Sequence, residues 1–173
     1  MLFIPVGKAP HRGVEGDPGA EVRVHLGEQA VDGDTRFDVS RVEVDRRGPS
    51  YSVETLRLLR DHAPDDEFTV ILGADQASRL STWREPDAVL SLARVAVAAR
   101  EGLAREAVLR HIEGVARSDQ IVFFDMPRID LSSSLVRQRA ASGRPIRYLL
   151  PDKVADYVEA EGLYGMSRAV RAE

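Results

Sequence analysis

The chain has 173 residues, 43% of them hydrophobic and 30% charged, which suits one domain with its own core and excludes an unfolded chain. With 24 basic against 28 acidic residues the formal charge is −4, so no global positive field attracts nucleic acid or anionic lipid. Cysteine is absent, which removes disulfides, thiolate–zinc sites and thiol catalysis together. No apolar run reaches the ~20 residues that span a bilayer, and the first residues lack the succession of a signal peptide; a cytoplasmic location is expected.

Residues 1–4 (MLFI) read as a buried strand that begins at the first residue and is stopped by Pro5 and Gly7. A loop rich in Gly, Pro and charge covers 8–19. Val22, Leu26 and Ala30 recur every four residues over Ala20–Val31, the stripe of an amphipathic helix. Residues 37–44 read as a strand with a phase slip near Ser40, and Arg47-Gly48-Pro49-Ser50 as a turn. Ser50 or Ser52 is placed to cap a helix with Val53, Leu56 and Leu59 on one face.

Residues 67–72 (EFTVIL) read as a central parallel strand covered on both faces. Gly73-Ala74-Asp75 ends it and opens a short helix, and Pro86 sits in the first turn of another that runs to about residue 93. Strands follow at 95–99 and 120–124, separated by a helix at 103–115. Ser132-Ser133-Ser134 caps a helix ending at Gly143, and Pro151 starts a last helix that Gly162 stops, with Val154, Tyr157 and Val158 inward. Strands alternating with helices indicate an open α/β domain around a parallel sheet. No repeat, linker or low-complexity tract divides it, so one domain over 1–165 is expected, with 166–173 as a tail. Ligands of such folds sit beyond the carboxyl ends of the strands, which directs attention to 8–12, 73–83 and 125–137.

Neither GxGxxG nor GxxxxGK[ST] occurs, so no dinucleotide fingerprint or P-loop is written here. His11, His25, His62 and His111 do not pair at i+2 or i+4, and HExxH and GxSxG are missing, which argues against a protein-bound metal and an elbow hydrolase. What remains points to a nucleotide. At Ser132 to Arg137 three hydroxyls meet a helix start, where the dipole favours negative charge, and Arg137 can fork onto phosphate. A plain Ser N-cap with a solvated Arg is the simpler reading, and the two do not exclude each other. Gly73 lets a ligand approach the backbone, and the Asp75 carboxylate can accept from ribose hydroxyls or merely cap a helix. Trp83, the single tryptophan, lies in polar sequence and is either a stacking ring or a partly buried packing residue. Lys8, His11 and Arg12 form a short basic loop, suited to phosphate or to solvent.

The order of these segments resembles the bacterial nicotinate-nucleotide adenylyltransferases, with their Rossmann-like nucleotidyltransferase fold. The match rests on FIPVGKAPH at 3–11, GPSYSVETL at 48–56, ILGADQ at 71–76, Thr82-Trp83, LSSSLVR at 131–137 and IRYLLPDKVADYV at 146–158. The resemblance implies transfer of the adenylyl group of ATP to nicotinate mononucleotide, giving nicotinate adenine dinucleotide and pyrophosphate in NAD biosynthesis. It implies that Trp83 stacks on the pyridine ring, that Ser52 with nearby backbone faces the nicotinate carboxylate, and that Thr55 joins the same pocket. Lys8 and His11 would lie beside the mononucleotide phosphate, Gly73 and Asp75 would contact nucleotide, and Ser132, Ser133 and Arg137 would hold ATP phosphates. Magnesium would come with ATP, held mostly by phosphate and water.

Ser52, Ala9, Arg12 and Ser134 depart mildly from the family's usual Thr, Pro, Lys and Thr. One departure is larger. The family's opening strand and GGTFDPxHxGH-like turn have no counterpart, so the fold is expected without its first β-α unit, with no catalytic histidine pair. The chain as written is accordingly expected to be weakly active or inactive. The alternatives are a non-catalytic nucleotide-binding relative and an adenylyl- or cytidylyltransferase for another phosphorylated acceptor; nicotinamide mononucleotide as acceptor is also open.

Overall fold

The computed structural model describes residues 1–10, 16–99, 103–112, 117–127 and 129–166. Its contacts sort into two compact units, Met1–Ser50 with Asp130–Glu173, and Tyr51–Ile129. Every strand pairing among the described residues is parallel. Parallel neighbours require a crossover rather than a tight turn, and helices supply it, as the alternating pattern demands.

In the unit Tyr51–Ile129, β3 (Phe68–Gly73), β4 (Ala93–Ala99) and β5 (Ile121–Asp125) pair in that order, with Val70 opposite Val95 and Val95 opposite Ile121. α2 (Ser52–His62) precedes the sheet; α3 (Ala74–Ala77), a 3-10 turn (Leu80–Thr82) and α4 (Pro86–Leu92) link β3 to β4, and α5 (Leu103–His111) follows β4. Leu80, Leu90, Val95, Val97, Val108, Ile112 and Ile121 form one buried cluster, and Val53, Leu56, Val89 and Ala93 form another beneath α2 and α4. β3, expected as a central strand covered on both faces, instead lies at the edge of this sheet among the described residues, with β4 in the centre, and only one of its faces is covered. Val70 and Leu72 pack inward while Ile71 is 50% exposed, and Val122 and Phe124 of β5 are also exposed. A β-branched run records that a strand forms, not how many of its faces are covered.

In the other unit, β1 (Leu2–Phe3) pairs with β2 (Asp38–Val39), and α1 (Ala20–Val31) lies between them in sequence. α6 (Ser133–Ala141) and α7 (Asp152–Glu161), with Ile146 from the segment between them, build the core of Val136, Ala140, Ile146, Val154, Ala155 and Val158, with Leu26 of α1 packed against it. Gly143 and Gly162 both stop their helices in the left-handed conformation, at φ 64° and 62°, as read from sequence.

Three expectations for this unit change. Residues 1–3 are exposed rather than buried, because β1 is two residues long and paired with β2 alone among the described residues, with the Phe3 ring 5.8 Å from that of Phe37. The strand expected at 37–44 stops at Val39. The Val42 N–H donates to Ser40 Oγ, and the Val44 and Asp45 N–H groups donate to the Arg41 carbonyl, turning the chain away. Along α1 the buried residue is Val24, and Ala30 is exposed. That helix is packed from more than one side, with His25 against the Tyr157 ring and Gly27 against Val39.

Candidate functional site

The 6–8 loop is fixed mainly through its main chain. A Cβ at Gly7 would lie 2.1 Å from the Glu43 carbonyl oxygen, so only glycine fits there. The Gly7 and Lys8 N–H groups both donate to Ser50 Oγ at 3.1 Å, and the Ser50 N–H donates to the Lys8 carbonyl at 2.8 Å. From α1, Arg23 donates Nε and Nη2 to the Val6 carbonyl (3.1 and 2.7 Å) and Nη2 to that of Gly7, while Nη1 pairs with Asp17. Lys8 is left exposed. Neither Ser50 nor Ser52, the two expected candidates, caps α2: Tyr51 occupies that position and its side chain makes no capping hydrogen bond. His11 lies outside the described residues, as does Arg12.

At the start of α6, Ser132 is extended and its Oγ accepts from the Leu135 N–H at 3.2 Å, the simple cap. Ser133 is exposed, and Arg137 is half-buried with Nη2 donating to Ser134 Oγ at 3.3 Å. The Tyr164 phenol is pushed above its ordinary pKa chiefly by burial; Arg137 and Arg23 oppose the rise and Asp17 adds to it. Arg137, Tyr164 and the arginine that holds the 6–7 carbonyls thus share one electrostatic neighbourhood. In the same unit, Arg46 has buried Nε and Nη2 atoms without a hydrogen-bond partner, the edge of a guanidinium that grips oxyanions.

The unit Tyr51–Ile129 holds the other candidates. β3 passes straight into α3: Gly73 is extended at φ −73° and is itself the N-cap, so Asp75 is not. Asp75 is exposed in the first turn with its carboxylate laid back toward the strand end, since a Cβ on Gly73 would stand 2.8 Å from Asp75 Oδ1. Ser52 is the half-buried first residue of α2. Thr55 is buried, with Oγ1 donating to the Tyr51 carbonyl at 3.3 Å. Trp83 ends the 3-10 turn half-buried and packs against both hydrophobic clusters, so it serves at least as a packing residue.

Around Trp83 lies a group of side chains that sequence reading did not single out. Arg57 of α2 reaches Glu85 (Nη2–Oε2 2.6 Å, Nη1–Oε1 3.4 Å) and Glu54 (3.4 Å). The Arg84 guanidinium stands 4.8 Å over the Tyr51 ring, with its Nε 3.8 Å from Glu85. The Arg57 hydrogen bond holds the Glu85 carboxyl below its ordinary pKa. Only the Glu54–Arg57 spacing is a local signal; the other contacts are long-range. Among the described residues no three His, Cys, Asp or Glu side chains gather around one point as a metal cage would, and no helix is long and apolar enough to cross a membrane.

Residues 1–139 match the cytidylyltransferase-like family. The chain is 40% identical over 164 residues to a probable nicotinate-nucleotide adenylyltransferase of Roseiflexus sp. (strain RS-1), covering 95% of this chain and 82% of the relative. It is 36% identical over 170 residues to one of Geobacillus thermodenitrificans, covering 98% and 74%, and 34% over 164 residues to one of Tropheryma whipplei, covering 95% and 83%. Among solved structures, a Plasmodium falciparum nicotinic acid mononucleotide adenylyltransferase complexed with NaAD shares the fold at a TM-score of 0.73 and 13% identity, over 96% of this chain and 82% of that one. By these sequence relationships the chain belongs to the nicotinate-nucleotide adenylyltransferases, within the cytidylyltransferase-like family.

Proposed function

We propose that this chain transfers the adenylyl group of ATP to nicotinate mononucleotide, forming nicotinate adenine dinucleotide and pyrophosphate in NAD biosynthesis. The observation that carries the reading is the 34–40% identity over about 95% of the chain to relatives named for that activity. The structural neighbour complexed with NaAD, which shares the fold, is consistent with it.

The chemistry needs no covalent enzyme intermediate. An oxygen of the mononucleotide phosphate attacks the α-phosphorus of ATP, the bond to the bridging oxygen breaks, and pyrophosphate leaves with that electron pair. The protein's task is alignment and charge neutralisation. In this reading Ser132 and Ser133, at the amino end of α6, and Arg137 take ATP phosphates. Lys8 and His11 are assigned to the mononucleotide phosphate. Ser52 and the leading amides of α2, which no side chain caps, receive the nicotinate carboxylate, with Thr55 behind them in the helix. Trp83 covers the pyridine ring, and Asp75 beyond Gly73 takes nucleotide hydroxyls. Magnesium would arrive on the nucleotide, held by phosphate oxygens and water. The same reading places the protein in the cytoplasm.

Because Trp83 is the only tryptophan, its emission reports on the proposed pocket alone. Saturable quenching by nicotinate mononucleotide, stronger than by phosphopantetheine, together with pyrophosphate release that is weak and specific to ATP, is the expected result. Absence of quenching, or preference for CTP and another acceptor, overturns the assignment.

A further inference from the structure

We infer that the Arg57–Glu85 ion pair, steadied by Arg84 on the face of Tyr51, is a positioning device that sets the Trp83 indole for the pyridine ring. The inference rests on the stacking role proposed for Trp83 and adds what holds that ring in place.

The backbone supplies the first argument. Trp83 is extended (φ −70°, ψ 159°), Glu85 is left-handed (φ 51°, ψ 60°), and Pro86 opens α4 immediately afterwards. An L-residue with a side chain keeps a left-handed backbone only where its surroundings impose it. Here both carboxylate oxygens of Glu85 are held by the two Nη atoms of one guanidinium, at 2.6 and 3.4 Å, and the following proline fixes the next φ. One residue separates that pinned position from the indole.

The second argument is where the guanidinium comes from. Arg57 stands on α2, the helix whose first turn carries Ser52 and ends in uncapped amides. The element proposed to meet the carboxylate therefore also grips the corner that carries the ring. Arg84, between Trp83 and Glu85, is laid over Tyr51, the N-cap of that same helix. Two side-chain contacts thus tie residues 84 and 85 to α2, while the half-buried indole has the hydrophobic clusters to lie against.

The third argument separates positioning from stability. Arg57 and Glu85 are 42% and 44% exposed, and pairs at that exposure add little to folding stability. Removing the pair should therefore leave the fold intact and move the ring.

The experiment titrates nicotinate mononucleotide into the full chain and into the E85Q, R57M and R57E/E85R variants, following Trp83 emission alongside thermal unfolding. Positioning predicts that E85Q and R57M keep the wild-type melting temperature, shift the Trp83 emission to the red, and weaken the ligand midpoint about tenfold. The double variant should restore much of the loss. E85Q is decisive, because it leaves more net positive charge beside an anionic ligand: if Arg57 and Arg84 acted only by attraction, E85Q would bind more tightly. Unchanged or tighter binding by E85Q overturns the inference, as does a loss that tracks the melting temperature and is not restored by the charge exchange. If the wild-type chain shows no quenching, the stacking role itself fails and the positioning role goes with it.

Discussion

The 6–8 loop and the 83–85 corner each present a candidate ligand contact, Lys8 in one and Trp83 in the other, but they are held by different means. The loop is held mainly through its own amides and carbonyls, by Ser50 and Arg23. The corner is held by side chains, through an ion pair and a cation over a ring. A loop bonded through its main chain tolerates substitution of the residue it displays but not of its anchors. A corner bonded through carboxylate and guanidinium responds to charge, and so to pH.

The largest effect expected on stability is at Gly7. Gly7→Ala sets a methyl group against the Glu43 carbonyl, where the two atoms would be 2.1 Å apart. The oxygen belongs to the main chain and the methyl carbon is bonded directly to it at Cα, so neither swings aside. A cost of about 3 kcal/mol, the upper end for overpacking, should appear as a lower urea midpoint; an unmoved midpoint would show that the loop is not seated against Glu43. Ser50→Ala comes next, leaving the Gly7 and Lys8 amides without their acceptor, about 1–2 kcal/mol because both amides are reached in part by water. Ser50→Thr keeps a hydroxyl and should recover most of that loss. If Ala and Thr unfold alike, the two hydrogen bonds are not what holds the loop.

These two predictions concern contacts of unequal visibility in the sequence. Pro86 in the first turn of α4, Ser132 before α6, and Gly143 and Gly162 after their helices were legible, because each helix end is decided by the one or two residues at it. The apolar runs of β3, β4 and β5 were legible for a similar reason. What covers a strand is decided by partners far along the chain, so the exposure of residues 1–3 and of Ile71 was not. The alternation at 42–44 favours a strand locally, but the Ser40 hydroxyl and Arg41 carbonyl redirect the chain. Ser50 illustrates the same limit within the candidate site: a serine before a helix reads as its cap, while the amides it accepts from lie more than forty residues away. Arg57 and Glu85, 28 residues apart, carried no sign of each other.

Gly73→Ala sharpens the comparison from the strand-end side. Its new Cβ would meet Asp75 Oδ1 at 2.8 Å, the tip of a side chain that can rotate, so the stability cost should stay below about 1 kcal/mol. The carboxylate would be displaced, and ATP affinity by calorimetry should fall severalfold. In an Asp75→Ala background the same substitution should change affinity little, since coupled sites show their dependence in such a cycle. Equal losses in both backgrounds would mean that Gly73 acts by close backbone approach instead of through Asp75.

The smallest effect on stability, and the one most specific to the side-chain-held corner, is a response to acid. Arg57 holds the Glu85 carboxyl below its ordinary pKa, and Glu85 in turn holds the Arg57 guanidinium above its own. A carboxylate with a lowered folded-state pKa contributes fully at and above its ordinary value and loses that contribution as the pH falls through the lowered one. The corner should therefore be unaffected across the neutral range and release only in acid, below the usual glutamate titration, while Arg57 stays charged throughout. Trp83 emission should shift over that acid window in the wild-type chain. E85Q, with no proton to gain at this position, should already show the released spectrum at neutral pH and lose the transition. The 6–8 loop, bonded mainly through amides and carbonyls, has less to titrate at its contacts. A wild-type emission that stays flat through acid until global unfolding would show that the indole does not depend on this carboxylate.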